Sequence, residues 1–243
     1  MKSNFIKVLC LAALMLTFGA ESQAQFRHFR QSIYLNGVLP TGDFGSAVSA
    51  NTVTGTQVPL TFINAGKGAM VGFGAGYRVS YRFDIGMGEV APYVGGDLFW
   101  NMLNGDLRNA YLQGKMTAPT YFNIPIMAGI SYNYDELNTN FPLIPFGEFG
   151  VGADIMMVTR EGSSGNYFAY KPSTTVCWML GAGVFLGNYV SVGAYYYGLG
   201  THPMDYTAKT LKDNTYANLQ DETTGERQLR NIGSFALRVG FHF

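Results

Sequence analysis

From Gln31 onward the chain alternates between apolar and small or polar positions. The clearest stretch sets Val71, Phe73, Ala75, Tyr77, Val79, Tyr81, Phe83 and Ile85 against Gly72, Gly74, Gly76, Arg78, Ser80, Arg82 and Asp84. Period two is the repeat of a β-strand, whose successive side chains point to opposite faces. The same alternation predicts strands over Gln31–Leu39, Val90–Met102, Tyr121–Tyr134, Leu143–Val158, Thr174–Leu186, Tyr189–Gly198 and Ser234–Phe243. In the last of these, Phe235, Leu237, Val239, Phe241 and Phe243 oppose Ser234, Ala236, Arg238, Gly240 and His242. Eight strands follow, each with one greasy face and one face of small or charged residues.

The connections alternate as well. Residues 40–67, Asn104–Pro119, Arg160–Ser173 and 200–229 read as long polar loops. Gly86–Glu89, Asp135–Asn140 and Gly187–Asn188 read as tight or moderate turns. One rim of short turns and one of longer loops is the asymmetry of a transmembrane barrel, and it places both mature ends on the short-turn, periplasmic rim. The expected fold is all-β, an eight-stranded antiparallel up-and-down transmembrane β-barrel.

The rival is a soluble eight-stranded barrel of lipocalin type. It would turn Val, Phe and Tyr inward and leave Gly72, Gly74 and Gly76 facing water, where each weakens its strand for no gain. A membrane barrel reverses the faces. An eight-stranded interior is only wide enough for side chains, so glycine inside makes physical sense. Arg78, Arg82, Arg238, Asp97, Glu148 and Asp154 share that small-residue face. In lipid a mid-depth Arg costs about 2–4 kcal/mol, whereas inside the barrel opposite charges can pair.

Composition supports this choice. Charged residues are 13% and aromatic residues 15%, with 31 glycines among 243 residues. Disordered chains lack such aromatic content. Lys+Arg and Asp+Glu are both 16, so no net charge points to nucleic acid. At the N-terminus Lys2 and Lys7 precede an apolar stretch from Val8 to Ala20, followed by the small-x-small site Ser22-Gln23-Ala24. Residues 1–24 are therefore expected to be a cleaved signal peptide and 25–243 the barrel domain. The apolar stretch is too short for the ~20 residues of a helical anchor. Removing Cys10 with the leader leaves Cys177 alone, so no internal disulfide is expected.

These features resemble the small outer-membrane β-barrels of the porin superfamily, of the OmpA/OmpX-like eight-stranded type. Tyr121-Phe-Asn-Ile-Pro-Ile126 also resembles a segment of PorT-type barrels of Gram-negative bacteria. The resemblance covers residues from about 30 to 243. It implies a cell outer membrane location, with outer-membrane lipid and lipopolysaccharide, the barrel-assembly machinery and other envelope proteins as partners. It makes Phe243, with Phe241 and Val239 upstream on the same face, part of the assembly signal. No peptidoglycan-binding domain is expected to follow the barrel, so the anchoring role of longer relatives is not expected here.

The candidate chemistry is sparse. Arg78, Arg82, Asp97, Glu148, Asp154 and Arg238 are expected to form an interior charge network that closes the lumen. The plainer account is that a filled interior needs paired polar groups, whatever the function. Counted from the short-turn rim, Arg82, Arg238 and Glu148 fall at similar depth, with Arg78 and Asp97 higher. His202 with Asp205 is the local pair placed where lipid-modifying or proteolytic barrels keep catalytic groups, but two residues in a loop are a weak signal and a solvated loop histidine is the preferred account. His242 reads as an interior filler. Trp100, Tyr121, Tyr81, Tyr132, Tyr134 and Tyr189 fall near strand ends, as aromatic girdles do. No zinc spacing, P-loop or nucleophile elbow appears, and no cofactor is expected. The reading is a non-enzymatic barrel with a structural or surface-interaction role. A narrow pore is the second member of that class, and a lipid-modifying or proteolytic barrel enzyme is the alternative.

Overall fold

The computed structural model describes residues 28–45, 68–134, 143–162, 166–187, 189–211 and 219–243. The alternating stretches form strands β1 (Phe29–Thr41), β2 (Gly72–Tyr81), β3 (Phe83–Asp84), β4 (Glu89–Met102), β5 (Thr120–Asn133) and β6 (Leu143–Val158). Strands β7 (Glu161–Gly162), β8 (Asn166–Tyr170), β9 (Ser173–Leu186), β10 (Val190–Leu211) and β11 (Leu219–His242) complete the set. Two helices, α1 (Gly42–Gly45) and α2 (Gly105–Gln113), lie in the connections.

Eight staves close on themselves in the order β1, β2, β4, β5, β6, β9, β10, β11, all antiparallel, with β3 continuing the β2 stave. The seam is β1 against β11, from Ser32 opposite His242 to Thr41 opposite Gly233. Beyond it the Phe243 N–H donates to Gln31 O at 3.0 Å, and the Gln31 N–H to Phe243 O at 2.8 Å. A closed sheet leaves no unpaired edge around its girth, which is what a spanning structure requires.

The faces follow the alternation. Leu35, Phe73, Leu98, Ile126, Val151, Val176, Leu180, Val192 and Leu237 all lie outside, on every stave in turn, and Val176 is 77% exposed. Ser32, Arg78, Asp97, Asn123, Glu148, Asp154, Ser191 and Arg238 lie inside, at 9% exposure or less. A water-soluble barrel would have the reverse arrangement. Gly86 and Gly187, with φ +85° and +68°, make the tight turns on the short-turn rim.

Three expectations about the long connections need correction. Residues 200–211 and 219–229 are not loop but strand, continuing β10 and β11 to the pairing of Leu211 with Leu219. Beyond Gly198, β10 leaves the ladder with β9, and its outer part pairs with β8 from Tyr206–Tyr170 to Thr210–Asn166. The hairpin thus extends past the barrel as a ridge. Beyond Met204 the sequence shows no period-two alternation, and its polarity disguised the pairing. Arg160–Ser173 contains β7 and β8. Asn104–Pro119 contains α2, whose first turn is capped by Asn104 Oδ1 accepting from the Asp106 N–H at 3.1 Å. Most of 40–67, the turn 135–140 and the expected signal peptide lie outside the described residues.

Candidate functional site

The lumen is the candidate site, and its middle is built from large side chains facing small ones. Tyr93 stands opposite Gly129, and Tyr195 opposite Gly181. A β-carbon at either glycine would collide with its tyrosine, and one at Gly76 would strike the Asp97 carboxylate. The inward glycines are the room into which the aromatic and charged groups fit.

Arg238 is the central cation, 1% exposed. Its Nη2 donates to Asp97 Oδ1 at 2.8 Å and Oδ2 at 2.9 Å, and its Nε to Asn36 Oδ1 at 2.9 Å. Asn36 Nδ2 donates in turn to Asp97 Oδ1 at 3.2 Å, and Tyr197 OH to Asp97 Oδ2 at 2.9 Å. Arg78 pairs with Glu148 at 2.6 Å, both groups buried. The two pairs are joined by ring stacking. Arg78 lies 3.8 Å from the Tyr93 centroid and 5.1 Å from that of Tyr34. Arg238 lies 4.4 Å from Tyr34 and 4.3 Å from Tyr195. Cations and rings therefore alternate across the lumen as Tyr93, Arg78, Tyr34, Arg238, Tyr195. Each such desolvated contact is worth about 1–2 kcal/mol, and the two charges of each sign balance.

The six expected network residues are not one cluster. Arg78, Glu148, Asp97 and Arg238 meet in the middle. Arg82 stands apart at the short-turn rim, half-buried, 3.2 Å from Glu89. Asp154 stands apart toward the long connections, with its Oδ2 3.1 Å from His202 Nε2. The depth expectation also fails, because Arg78 meets Glu148 and Arg238 meets Asp97. Residues counted from a rim reach different heights on different staves when the strands of a closed barrel tilt and stagger.

His202 is neither solvated nor paired with Asp205. It is fully buried, and its Nε2 donates to Leu199 O at 3.1 Å. A β-bulge explains this. The β10–β11 register shifts at Gly198/Gly200 and again at Gly200/His202, with Gly200 at φ +82°. Inward positions are odd up to Leu199 and even from His202 to Met204. A bulge inserts one residue and re-aims the side chains beyond it. Asp205 is turned outward and pairs with Lys171 at 3.5 Å.

Above Asp154 the lumen ends in an apolar cap. Phe44 of α1, Leu107 and Tyr111 of α2, and Leu103, Leu199, Met204 and Ile232 are all buried to 2% exposure or less. Tyr121 belongs here and not to a girdle: it points inward and meets Phe44 edge-on at 5.3 Å. Tyr111 OH donates to Glu161 Oε2 at 3.2 Å and Tyr170 OH to Glu161 Oε1 at 2.5 Å, tying α2 to β7 and β8. At the other end His242 spans two staves, with Nδ1 2.7 Å from Ser32 Oγ and Nε2 2.8 Å from Ser191 Oγ. Phe241 points outward beside it.

The residues missed from the sequence are Tyr34, Asn36, Tyr93, Tyr197, Glu89 and Glu161, and for His202 it was the partner, Asp154, that was missed. Tyr34 and Asn36 share the inward parity of Ser32, so the alternation already assigned their face. Which staves face each other across the lumen was the information lacking.

No protein-family model matches the chain, and no curated protein sequence matches it. Among solved structures it is similar to Neisserial surface protein A, at 14% identity and a TM-score of 0.45, covering 88% of this chain and 95% of that one. It is similar to Ail, the attachment invasion locus protein of Yersinia pestis, at 11% identity and a TM-score of 0.40, covering 89% and 98%. A major outer membrane protein from Thermus thermophilus matches at 9% identity and a TM-score of 0.41, covering 88% and 99%. At these distances no activity passes from those proteins to this chain.

Proposed function

We propose that the chain is an integral outer-membrane barrel, without enzymatic activity, that has a structural and surface-interaction role. The observation that carries the reading is the inverted barrel: large apolar side chains on the outside of every stave, and paired charges within. Only hydrocarbon solvates such an exterior well. The filled lumen supports a presenting role over a conducting one, and wide channels need about 16 strands. The long-loop rim, with the β10–β11 ridge, would then be the surface that meets other envelope proteins. Both mature ends would lie in the periplasm after removal of residues 1–24, and Phe241 with Phe243 would be read by the barrel-assembly machinery. Outer-membrane lipid and lipopolysaccharide are the surrounding partners. His202 and Asp154 are sealed from both water and lipid, which supports a packing role over catalysis.

Membrane fractionation with heat-modifiable gel mobility tests the reading. The expected result is a mature chain starting at Gln25 in the outer-membrane fraction that migrates differently before and after boiling. A soluble protein of unchanged mobility would overturn it. In planar bilayers the purified barrel should give no steady conductance step, and a reproducible ohmic step would replace the presenting role with a pore.

A further inference from the structure

We infer that the outside of the barrel carries a groove for one phosphorylated glycolipid of the outer leaflet, with an acyl chain against Trp100, Met102 and Leu112 and a phosphate on Arg108. The inference rests on the membrane reading above and names the lipid that this face would select. A cavity of about 380 Å³ lies where α2 overhangs the outer ends of β4 and β5, lined by these four residues with Met116 and Pro119. That volume falls in the range of small-molecule sites, about 300–1,000 Å³.

Three features point to an amphiphile. Leu112 is 61% exposed, left out of the cap into which the same helix buries Leu107 and Tyr111. The Trp100 indole N–H is shielded from solvent and has no acceptor among the described residues. A lipid ester carbonyl or hydroxyl in the groove would supply one. Arg108 Nη1 touches the Met102 sulfur at 3.8 Å, and no carboxylate of the described residues pairs with it. An unbalanced guanidinium at a membrane interface favours a phosphate. The groove is also continuous with the lipid-facing belt, since Trp100 packs against Phe73 with centroids 4.7 Å apart and stacks on Phe122 at 6.3 Å. An occupant therefore enters sideways from the bilayer. On the long-loop side of an outer membrane, the phosphate-bearing lipid is a glycolipid.

Trp100 and Trp178 are the only two tryptophans of the chain, which gives the test a reporter. The full mature chain with Trp178→Phe leaves Trp100 as the single indole. In micelles containing phosphatidylcholine with brominated acyl chains, its emission should be quenched. Bisphosphorylated lipid A should restore emission at about fivefold lower concentration than its dephosphorylated form, the weight of one interfacial cation. Arg108→Gln should remove that difference, and Leu112→Asp should abolish restoration by either lipid. Both variants change side chains outside the lumen, and heat-modifiable mobility verifies that each has folded. Equal restoration by the two forms of lipid A, or an unchanged preference in Arg108→Gln, overturns the inference while leaving the barrel reading intact. So does restoration by phosphatidylglycerol at the same concentration as by lipid A. Loss of heat-modifiable mobility in the parent chain would instead remove the membrane reading itself.

Discussion

The two halves of the lumen are filled by opposite means. Toward the short turns, charge is brought inside together with its complement: Arg238 with Asp97, Arg78 with Glu148, and tyrosine rings between the guanidinium groups. Toward the long connections, apolar side chains are folded in from outside the staves, by α1, by α2 and by the bulged part of β10. The first filling belongs to the regular strand pattern and the second to its interruptions. The difference teaches where stability and where adaptability lie. A paired buried charge tolerates no single change, whereas an apolar cap can be rebuilt from whatever segment lies over it.

The sharpest way to break this contrast is at the first half. Arg238→Met removes a cation that has the Asp97 carboxylate, Asn36 and Tyr197 as polar neighbours, and leaves Asp97 uncompensated. Breaking one partner of a buried pair costs about 3–5 kcal/mol. The urea midpoint of the barrel refolded in lipid vesicles should fall accordingly. The double change Arg238→Met with Asp97→Leu should recover most of the loss, because the uncompensated charge and not the missing attraction is the main cost. A double variant as unstable as the single one would mean that Arg238 acts through packing against Tyr34 and Tyr195.

The first half was largely legible in the sequence and the second was not, for one physical reason. Period-two alternation reports which face a residue occupies, and it assigned Arg78, Asp97, Glu148, Asp154 and Arg238 to the interior without further information. It carries no register between distant strands, so the choice of partners could not be read. It also fails wherever an extra residue is inserted. At Gly198–His202 the bulge shifts the parity, and a histidine that reads as part of a polar loop becomes fully buried. Leu107 and Tyr111, spaced by four and preceded by Leu103 at the same interval, did hold a helical signal in the stretch read as loop. The ridge residues beyond Met204 had no such signal, since their polar sequence has no period-two pattern to mark the strands.

A smaller effect is expected where the bulge joins the two halves. Gly200 lies at φ +82°, and a β-carbon there would stand 2.9 Å from both Thr175 Cγ2 and the Val176 carbonyl. Gly200→Ala should therefore cost about 1–2 kcal/mol from backbone conformation, with the collision added. The strain falls where β10 leaves β9, so the ridge should loosen before the barrel does. Limited thermolysin digestion in vesicles is expected to cut within 200–229 several times faster, while the boiled and unboiled mobilities stay as in the parent. If digestion is unchanged and the urea midpoint falls instead, the bulge is a barrel element and the two halves are less separable than their fillings suggest.

The smallest effect is expected on the ridge itself. Lys171 and Asp205 form an ion pair at 3.5 Å, with side chains 71% and 62% exposed. Exposed pairs of this kind contribute about 0–1 kcal/mol and are screened by salt. The same two residues are also joined through the backbone, where the Lys171 N–H donates to Asp205 O at 2.9 Å. Just beyond this bond, β8 pairs with β10 from Tyr170 opposite Tyr206. Lys171→Ala removes the charge and keeps the backbone bond, so digestion of the ridge should change by less than about twofold, and less still in high salt. A larger, salt-sensitive acceleration would make the side-chain pair the clamp that holds β8 on the hairpin. The ridge would then depend on charge as the middle of the lumen does, but without burial to strengthen it.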